Sequence, residues 1–130
     1  MTRTRIFLML SVLIWLPYGL FCVFQPGYLA EAAGVVGSTP TGTTEIRAMY
    51  GGLQAGIGLM CVFALMRPGF ARSALPALCF LAGGLFLARL TGLVIDGSGS
   101  DYTYGTLVFE SSYAIAAGWL SRGSTISNST

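Results

Sequence analysis

Apolar residues occur in long blocks along the 130-residue chain, separated by shorter polar segments. The four apolar blocks cover residues 6–24, 45–66, 74–95 and 104–120, and a polar tail covers residues 121–130. An α-helix of about 20 apolar residues crosses a hydrocarbon core about 30 Å thick. The pattern therefore predicts a single membrane domain over residues 1–130, an all-α integral membrane four-helix bundle whose fourth span is the shortest.

Turn-forming and capping residues mark the ends of these spans. Thr43 or Thr44 offers an N-cap for the second helix, and Glu45 then falls in its first turn, where the helix dipole favours an anion. Arg67-Pro68-Gly69 ends that helix and opens a short basic loop that reaches Ser73. Asp96-Gly97-Ser98-Gly99 is a turn signal that predicts a flexible acidic loop, through residue 105, between the third and fourth helices.

The first apolar block has a competing interpretation as a secretory signal peptide. Arg3 and Arg5 precede the block, and Ala30-Glu31-Ala32 resembles a cleavage site. The apolar run is longer than the usual core of a signal peptide and contains Trp15, which favours a retained span. Beyond it, residues 28–36 are compatible with a short helix lying in the membrane interface.

Composition supports the membrane assignment and excludes several functions. Hydrophobic residues make up 54% of the chain, charged residues 9%, and the mean hydropathy is +0.72. Soluble domains carry about 25% charged residues, so the lipid bilayer is the expected partner. The chain has no histidine and no lysine, which excludes an imidazole ligand or base and a Schiff base, and we predict no cofactor and no metal. The scattered net charge of +2 indicates no nucleic-acid partner.

The three cysteines do not change this interpretation. Cys22, Cys61 and Cys79 all lie inside apolar blocks, and their spacing matches no metal-binding motif. Free cysteine in such surroundings usually behaves as a small apolar residue. We therefore interpret all three as buried thiols.

The arginines predict the orientation of the bundle. With four spans, one side of the membrane carries Arg3, Arg5, Arg67, Arg72 and Arg122. The loops on the opposite side contain Glu31, Asp96 and Asp101 and no arginine. The positive-inside rule then places both the N and the C terminus in the cytoplasm, as in a multi-pass protein of the cell inner (plasma) membrane.

Charged and polar side chains also lie within the spans, where each charge costs at least about 2.5 kcal/mol at the helix centre. A rise of about 1.5 Å per residue places polar groups from four different spans roughly 9–13 Å below the outer surface. The depth estimate covers Tyr18, Gln54, Arg89 and Glu110, and the predicted polar cluster also includes Glu45, Arg47, Tyr50, Asp96 and Tyr113.

Two interpretations of this cluster are open. We expect Arg89 to pair with Glu110, and Arg47 to lie near Glu45, Asp96 or Asp101. In the structural interpretation these pairs hold four short helices in register. In the functional interpretation they line a pocket, open to the outer side, in which an arginine binds an anionic head group.

Small residues on the second span predict close helix packing. Gly52-x-x-x-Gly56 is a small-x-x-x-small pattern, interpreted as packing within the chain, with dimerisation between chains as the alternative. A second stripe of the same helix contains Arg47, Gly51, Gln54 and Gly58.

The polar positions resemble those of a known family. The sequence contains the motif Glu45-x-Arg47-x-x-Tyr50-Gly51-Gly52, followed by Gly56, Arg89, the Asp96-Gly97 turn and Glu110. These positions are similar to those of a family of small bacterial four-span membrane proteins, domain of unknown function 4345. The resemblance covers about Ile6 to Trp119. It implies a four-helix membrane fold, similar in outline to small DoxX-like membrane proteins, and no activity.

Three classes of function compete. The first is a binding or accessory protein, with a polar site in the outer half of the bilayer for a lipid-like or amphipathic ligand, or a subunit of a homo-oligomer or larger membrane complex. The second is a membrane enzyme acting on a lipophilic substrate, with Glu110 as its acid–base group beside Arg89. The third is a small-solute transporter acting as an oligomer. We favour the first, because the sequence shows no activated nucleophile, no internal repeat and few polar groups in the inner half.

Overall fold

The computed structural model describes residues 2–123, and every element of secondary structure in this range is helical. The elements are α1 (Arg3–Phe24), α2 (Tyr28–Ala33), α3 (Pro40–Ile46), a π-helical segment (Arg47–Gly52), α4 (Leu53–Met66), α5 (Pro68–Asp96) and α6 (Asp101–Gly123). The all-α prediction is confirmed for this part of the chain. Residues 121–123 of the predicted polar tail belong to α6, and residues 124–130 lie outside the described residues.

Three helices in the described range are long and apolar enough to cross a membrane: Arg3–Phe24, Pro40–Met66 and Pro68–Asp96. The second of these runs without interruption through α3, the π-helical segment and α4. Helix α6 has 23 residues, which is also a membrane-spanning length. It is not among the three, because threonine, serine, tyrosine and Glu110 are interspersed among its apolar residues. The fourth span therefore stays a prediction.

The second apolar helix begins earlier than predicted. Thr39 is the N-cap of α3, and its hydroxyl accepts a hydrogen bond from the backbone N–H of Gly42 at 3.0 Å. Pro40 follows at the first helical position, where its fixed φ suits a helix and its missing N–H costs nothing. The N-cap prediction at Thr43 or Thr44 is wrong, and Glu45 lies near the end of α3 instead of in its first turn.

The predicted basic loop after the second helix is also wrong, because Arg67 alone separates α4 from α5. Pro68 is the first residue of α5, so the Arg67-Pro68 step ends one helix and starts the next. Helix α6 likewise begins at Asp101, within the predicted loop. The hydroxyl of Ser100 accepts a hydrogen bond from the N–H of Thr103 at 3.2 Å and so caps that helix.

The turn before α6 and the turn after α2 each use a glycine in the left-handed region. Gly97 has a φ of +63° and Gly34 a φ of +68°, values that L side chains rarely adopt. Gly34 ends α2 at residue 33, and its N–H donates to the carbonyl of Ala30. A short helix is therefore present within residues 28–36 as predicted, but it ends at Ala33. Its location in the membrane interface stays a prediction.

The chain forms two compact units, the first up to Pro68 and the second from Gly69 onward. In the first unit, α1 packs against the π-helical segment and α4 with backbone close to backbone. A Cβ atom on Gly51 would lie 2.8 Å from the N of Val23, and one on Gly58 would lie 2.7 Å from the N of Leu16. A Cβ atom on Gly19 would collide with the backbone of Ala55. Glycine is required at all three positions because only hydrogen fits between the helices.

This packing corrects the predicted role of Gly52 and Gly56. Both glycines are exposed, and a Cβ atom on Gly56 would meet nothing within 4 Å. The packing face is the stripe of Gly51, Ala55 and Gly58, one residue earlier and therefore about 100° around the helix. Gly51 and Gly58 belong to the second stripe identified in the sequence. The glycines that pack against α1 therefore lie on the helix face next to the one that was predicted to pack.

In the second unit, α5 and α6 run antiparallel. Arg89 contacts Glu110, and Gly118 lies beside Cys79, where an added Cβ atom would be 3.1 Å from the thiol sulfur. The residue numbers rise along one helix as they fall along the other, which defines the antiparallel register. Helix α5 continues through Pro76, which lies near its beginning.

Candidate functional site

Arg89 and Glu110 form the ion pair that the sequence predicts, within the second unit. Nη2 of Arg89 lies 2.9 Å from Oε1 of Glu110, and Nε donates at 3.2 Å to both carboxylate oxygens. The side chain of Glu110 is 5% exposed and that of Arg89 is 27% exposed. A planar guanidinium that contacts both oxygens fixes the relative position of the two helices as well as neutralising the charge.

Aromatic side chains surround this pair. The ring of Tyr102, near the start of α6, lies 5.8 Å from the central carbon of the Arg89 guanidinium, a distance at which a cation is attracted to the face of a ring. Tyr113 is buried one helical turn after Glu110 and packs against Phe109, with ring centroids 5.6 Å apart. The predicted site residue Tyr113 thus lies on the same face of α6 as the ion pair, and Tyr102 is an additional neighbour outside the predicted cluster.

Arg47 has a different partner from the one predicted. Its Nη1 donates a hydrogen bond to the backbone carbonyl of Val23. That carbonyl is one of the last four of α1, which have no partner within the helix. The positive guanidinium also complements the negative end of the helix dipole. Arg47 therefore caps the C-terminus of α1, and the predicted pair with Glu45 is not formed within this unit.

The other predicted residues of the first unit lie near this cap. Tyr18 and Tyr50 are half-buried and pack against an apolar cluster of Cys22, Leu29 and Ile46. Gln54 is half-buried one turn farther along the helix, whereas Glu45 is exposed. Asp96, at the last position of α5 in the second unit, is exposed as well. The structure thus gathers Tyr18, Arg47 and Tyr50 around the end of α1, and separately joins Arg89 to Glu110.

The π-helical segment Arg47–Gly52 was not predicted from the sequence. Its hydrogen bonds reach five residues back, as from the N–H of Leu53 to the carbonyl of Ala48. Single-turn π segments are uncommon and often occur at functional sites. No pattern of apolar residues signals such a segment, but the adjacent glycines Gly51 and Gly52 are compatible with it, because they weaken the preference for a regular α-helix.

Existing contacts limit the chemistry that these groups can perform. Glu110 contacts Arg89 through both carboxylate oxygens, so any proton transfer by Glu110 would first have to break a buried ion pair. The guanidinium of Arg47 is exposed and uses one of its five N–H groups on Val23. Across residues 2–123, no group of three side chains of the metal-binding types is close enough to hold a metal ion.

An all-α chain with three apolar helices of spanning length, and with an ion pair buried between two of its helices, has the architecture expected of a membrane protein. The chain belongs to the family described as Domain of unknown function (DUF4345), which matches residues 3–121. The family resemblance identified in the sequence is therefore confirmed. No curated protein and no solved structure matches the chain.

Proposed function

We propose that this protein is a multi-pass binding or accessory protein of the bacterial inner membrane. In the proposed topology four helices form one bundle, both termini are cytoplasmic, and the Arg47 end of α1 lies in the outer half of the bilayer. The three apolar helices and the distribution of arginines support this topology. Its ligand is an amphipathic or lipid-like molecule with an anionic group.

The observation that carries the proposal is that the π-helical segment lies within the polar motif. This name is used for residues Glu45 to Gln54, which supply four members of the predicted polar cluster, and the π-helical segment spans Arg47–Gly52. Arg47, at its first position, is exposed and has four N–H groups besides the one that it donates to Val23. A charged donor held at low dielectric is a strong anchor for an anionic head group. Tyr18 and Tyr50 provide half-buried aromatic surface close by.

The closed pair of Arg89 and Glu110 supports a binding protein over an enzyme. Of the two arginines that the sequence offers for an anionic head group, Arg89 already contacts a carboxylate through two of its nitrogens. Arg47 contacts a neutral carbonyl, so its positive charge is not neutralised by that contact. The proposed anion site is therefore at Arg47, and Arg89 has a structural role.

Replacing Arg47 by glutamine tests this proposal. Purified in mild detergent, the natural protein is expected to carry an anionic amphipathic molecule that mass spectrometry detects after extraction. The Arg47→Gln protein is expected to retain at least about tenfold less of it, because a hydrogen bond to a charged group contributes about 1.5–3 kcal/mol. Arg47→Lys keeps a charged donor and is expected to retain an intermediate amount.

Arg67→Gln is the matched control, because Arg67 is also exposed but lies at the other end of α4. Only folded protein, selected by gel filtration, is compared, since Arg47 also caps α1. Equal amounts of the molecule in the Arg47→Gln and Arg67→Gln proteins would show that Arg47 is not the anchor.

A further inference from the structure

A groove lies between α5 and α6, beyond the ion pair, and is lined by residues of the second unit alone. Its volume is about 670 Å³, within the range of small-molecule sites. It extends from Leu87 and Ala114, near the ion pair, to Trp119 and Arg122 at the other end. The polar motif and the proposed anion site at Arg47 contribute nothing to it.

Glycines create the groove. Gly83 and Gly84 line it from α5, and a Cβ atom on either would meet nothing within 4 Å. Gly118 lies opposite on α6, close to the thiol of Cys79. The two helices therefore approach each other at Gly118, while the missing side chains at Gly83 and Gly84 leave the space beside that contact empty.

The walls of the groove are apolar and highly exposed. Phe80 is 81% exposed and Ile115 is 72% exposed, and both line the groove. An open groove with largely apolar walls, between two helices of membrane-spanning length, matches the chemistry of an acyl chain. A water-soluble ligand would gain few hydrogen bonds from these walls.

The positive charge at one end of the groove favours an anionic lipid. Arg122, in the last turn of α6, lines one end of the groove and is the only charged residue that does so among residues 2–123. It forms no ion pair with any of the described residues. The acidic residues of the same unit, Asp96, Asp101 and Glu110, all lie toward the other end of the two helices. A positive side chain beside an interfacial tryptophan is a typical contact for a lipid head group.

We infer that this groove binds one acyl chain of an anionic phospholipid and that Arg122 contacts its phosphate. The site differs from the one at Arg47 in its residues and in its helices, which are α5 and α6. Its main contact is with the acyl chain. It does not depend on the proposed function being correct.

Quenching of tryptophan fluorescence tests the inference, because the chain has two tryptophans and one of them, Trp119, lines the groove. The Trp15→Phe protein is reconstituted into phosphatidylcholine vesicles that contain a small fraction of a lipid brominated in its acyl chains. In one series the brominated lipid is phosphatidylglycerol, and in the other it is phosphatidylcholine. Brominated phosphatidylglycerol is expected to quench Trp119 with an apparent affinity about fivefold higher, the preference that one arginine gives near an anionic lipid. Should Trp15→Phe fail to fold, the difference between the natural protein and Trp119→Phe gives the same signal.

Two further variants locate the binding site. Arg122→Gln is expected to remove the preference for phosphatidylglycerol, whereas Arg67→Gln, with an exposed arginine outside the groove, is expected to keep it. Gly83→Leu is expected to fill the groove and weaken quenching by both lipids. Its matched control is Gly56→Leu, another helical glycine with open space around it but outside the groove.

Three results would overturn the inference. Equal quenching by the two brominated lipids would indicate ordinary boundary lipid. A preference that survives Arg122→Gln would place the head group elsewhere. A change in Trp119 emission that depends on the protein-to-lipid ratio, with no brominated lipid present, would show that a second copy of the chain occupies the groove.

Discussion

Replacing Gly19 by alanine is expected to destabilise the protein by at least about 3 kcal/mol, the upper part of the usual range for overpacking. The added Cβ atom would overlap the backbone of Ala55 and lie 2.8 Å from the carbonyl oxygen of Gly51. Because these are backbone atoms of the packed helix, no side-chain rotation can relieve the overlap, and α1 must separate from α4. The midpoint of thermal unfolding in detergent, followed by circular dichroism, measures the effect.

Gly56→Ala is the matched control for this substitution. Gly56 is helical like Gly19, but a Cβ atom there meets nothing within 4 Å. Alanine is favoured over glycine in a helix by about 0.5–1 kcal/mol, so this variant is expected to be as stable as the natural protein or slightly more stable. Similar melting midpoints for Gly19→Ala and Gly56→Ala would contradict the close packing of α1 on α4.

Replacing Arg89 by alanine is expected to destabilise the second unit by about 3–5 kcal/mol, the usual cost of leaving one member of a buried ion pair without its partner. Glu110 is 4% exposed and both of its carboxylate oxygens are bound by Arg89. The variant leaves this carboxylate buried without a positive charge. Thermal unfolding in detergent measures the loss, and Arg67→Ala, an exposed arginine, is expected to change stability by less than about 0.5 kcal/mol.

The double variant Arg89→Leu with Glu110→Met distinguishes the two interpretations of this pair. Apolar residues of similar volume often replace a buried ion pair without loss of stability. If the pair only holds α5 and α6 in register, the double variant is expected to recover most of the stability that the single variant loses. A double variant as unstable as Arg89→Ala would contradict that structural role.

Much of the fold follows from the sequence. The lengths of the apolar blocks predict the helices, because a segment that faces lipid must form its backbone hydrogen bonds internally and present apolar side chains along its length. The pair of Arg89 and Glu110 is also predictable, because two opposite charges in apolar helices have a strong energetic reason to meet. The motif from Glu45 to Gly52 is the most specific part of the family resemblance, and the match over residues 3–121 confirms the family.

Helix boundaries were less predictable. Thr39, Thr43 and Thr44 are all acceptable N-caps by residue type, and the choice of Thr39 depends on the proline that follows it. Proline stops a preceding helix and also favours the first turn of a new one. Pro68 is therefore compatible both with a loop after α4 and with the immediate start of α5. Local preferences of about 1 kcal/mol do not separate such alternatives.

The sequence by itself determined that this is an all-α chain with apolar helices of spanning length, which residues are charged within them, and that Arg89 and Glu110 attract each other. The tertiary structure decided which face of each helix is used. Gly51 and Gly58 pack against α1 while Gly52 and Gly56 do not, and Arg47 caps the carbonyl of Val23 instead of pairing with an acid. The physical reason is that neighbouring stripes of a helix differ by only about 100° of rotation. In an almost uniformly apolar chain, the hydrophobic effect does not favour one stripe over the next, so steric fit between backbones makes the choice.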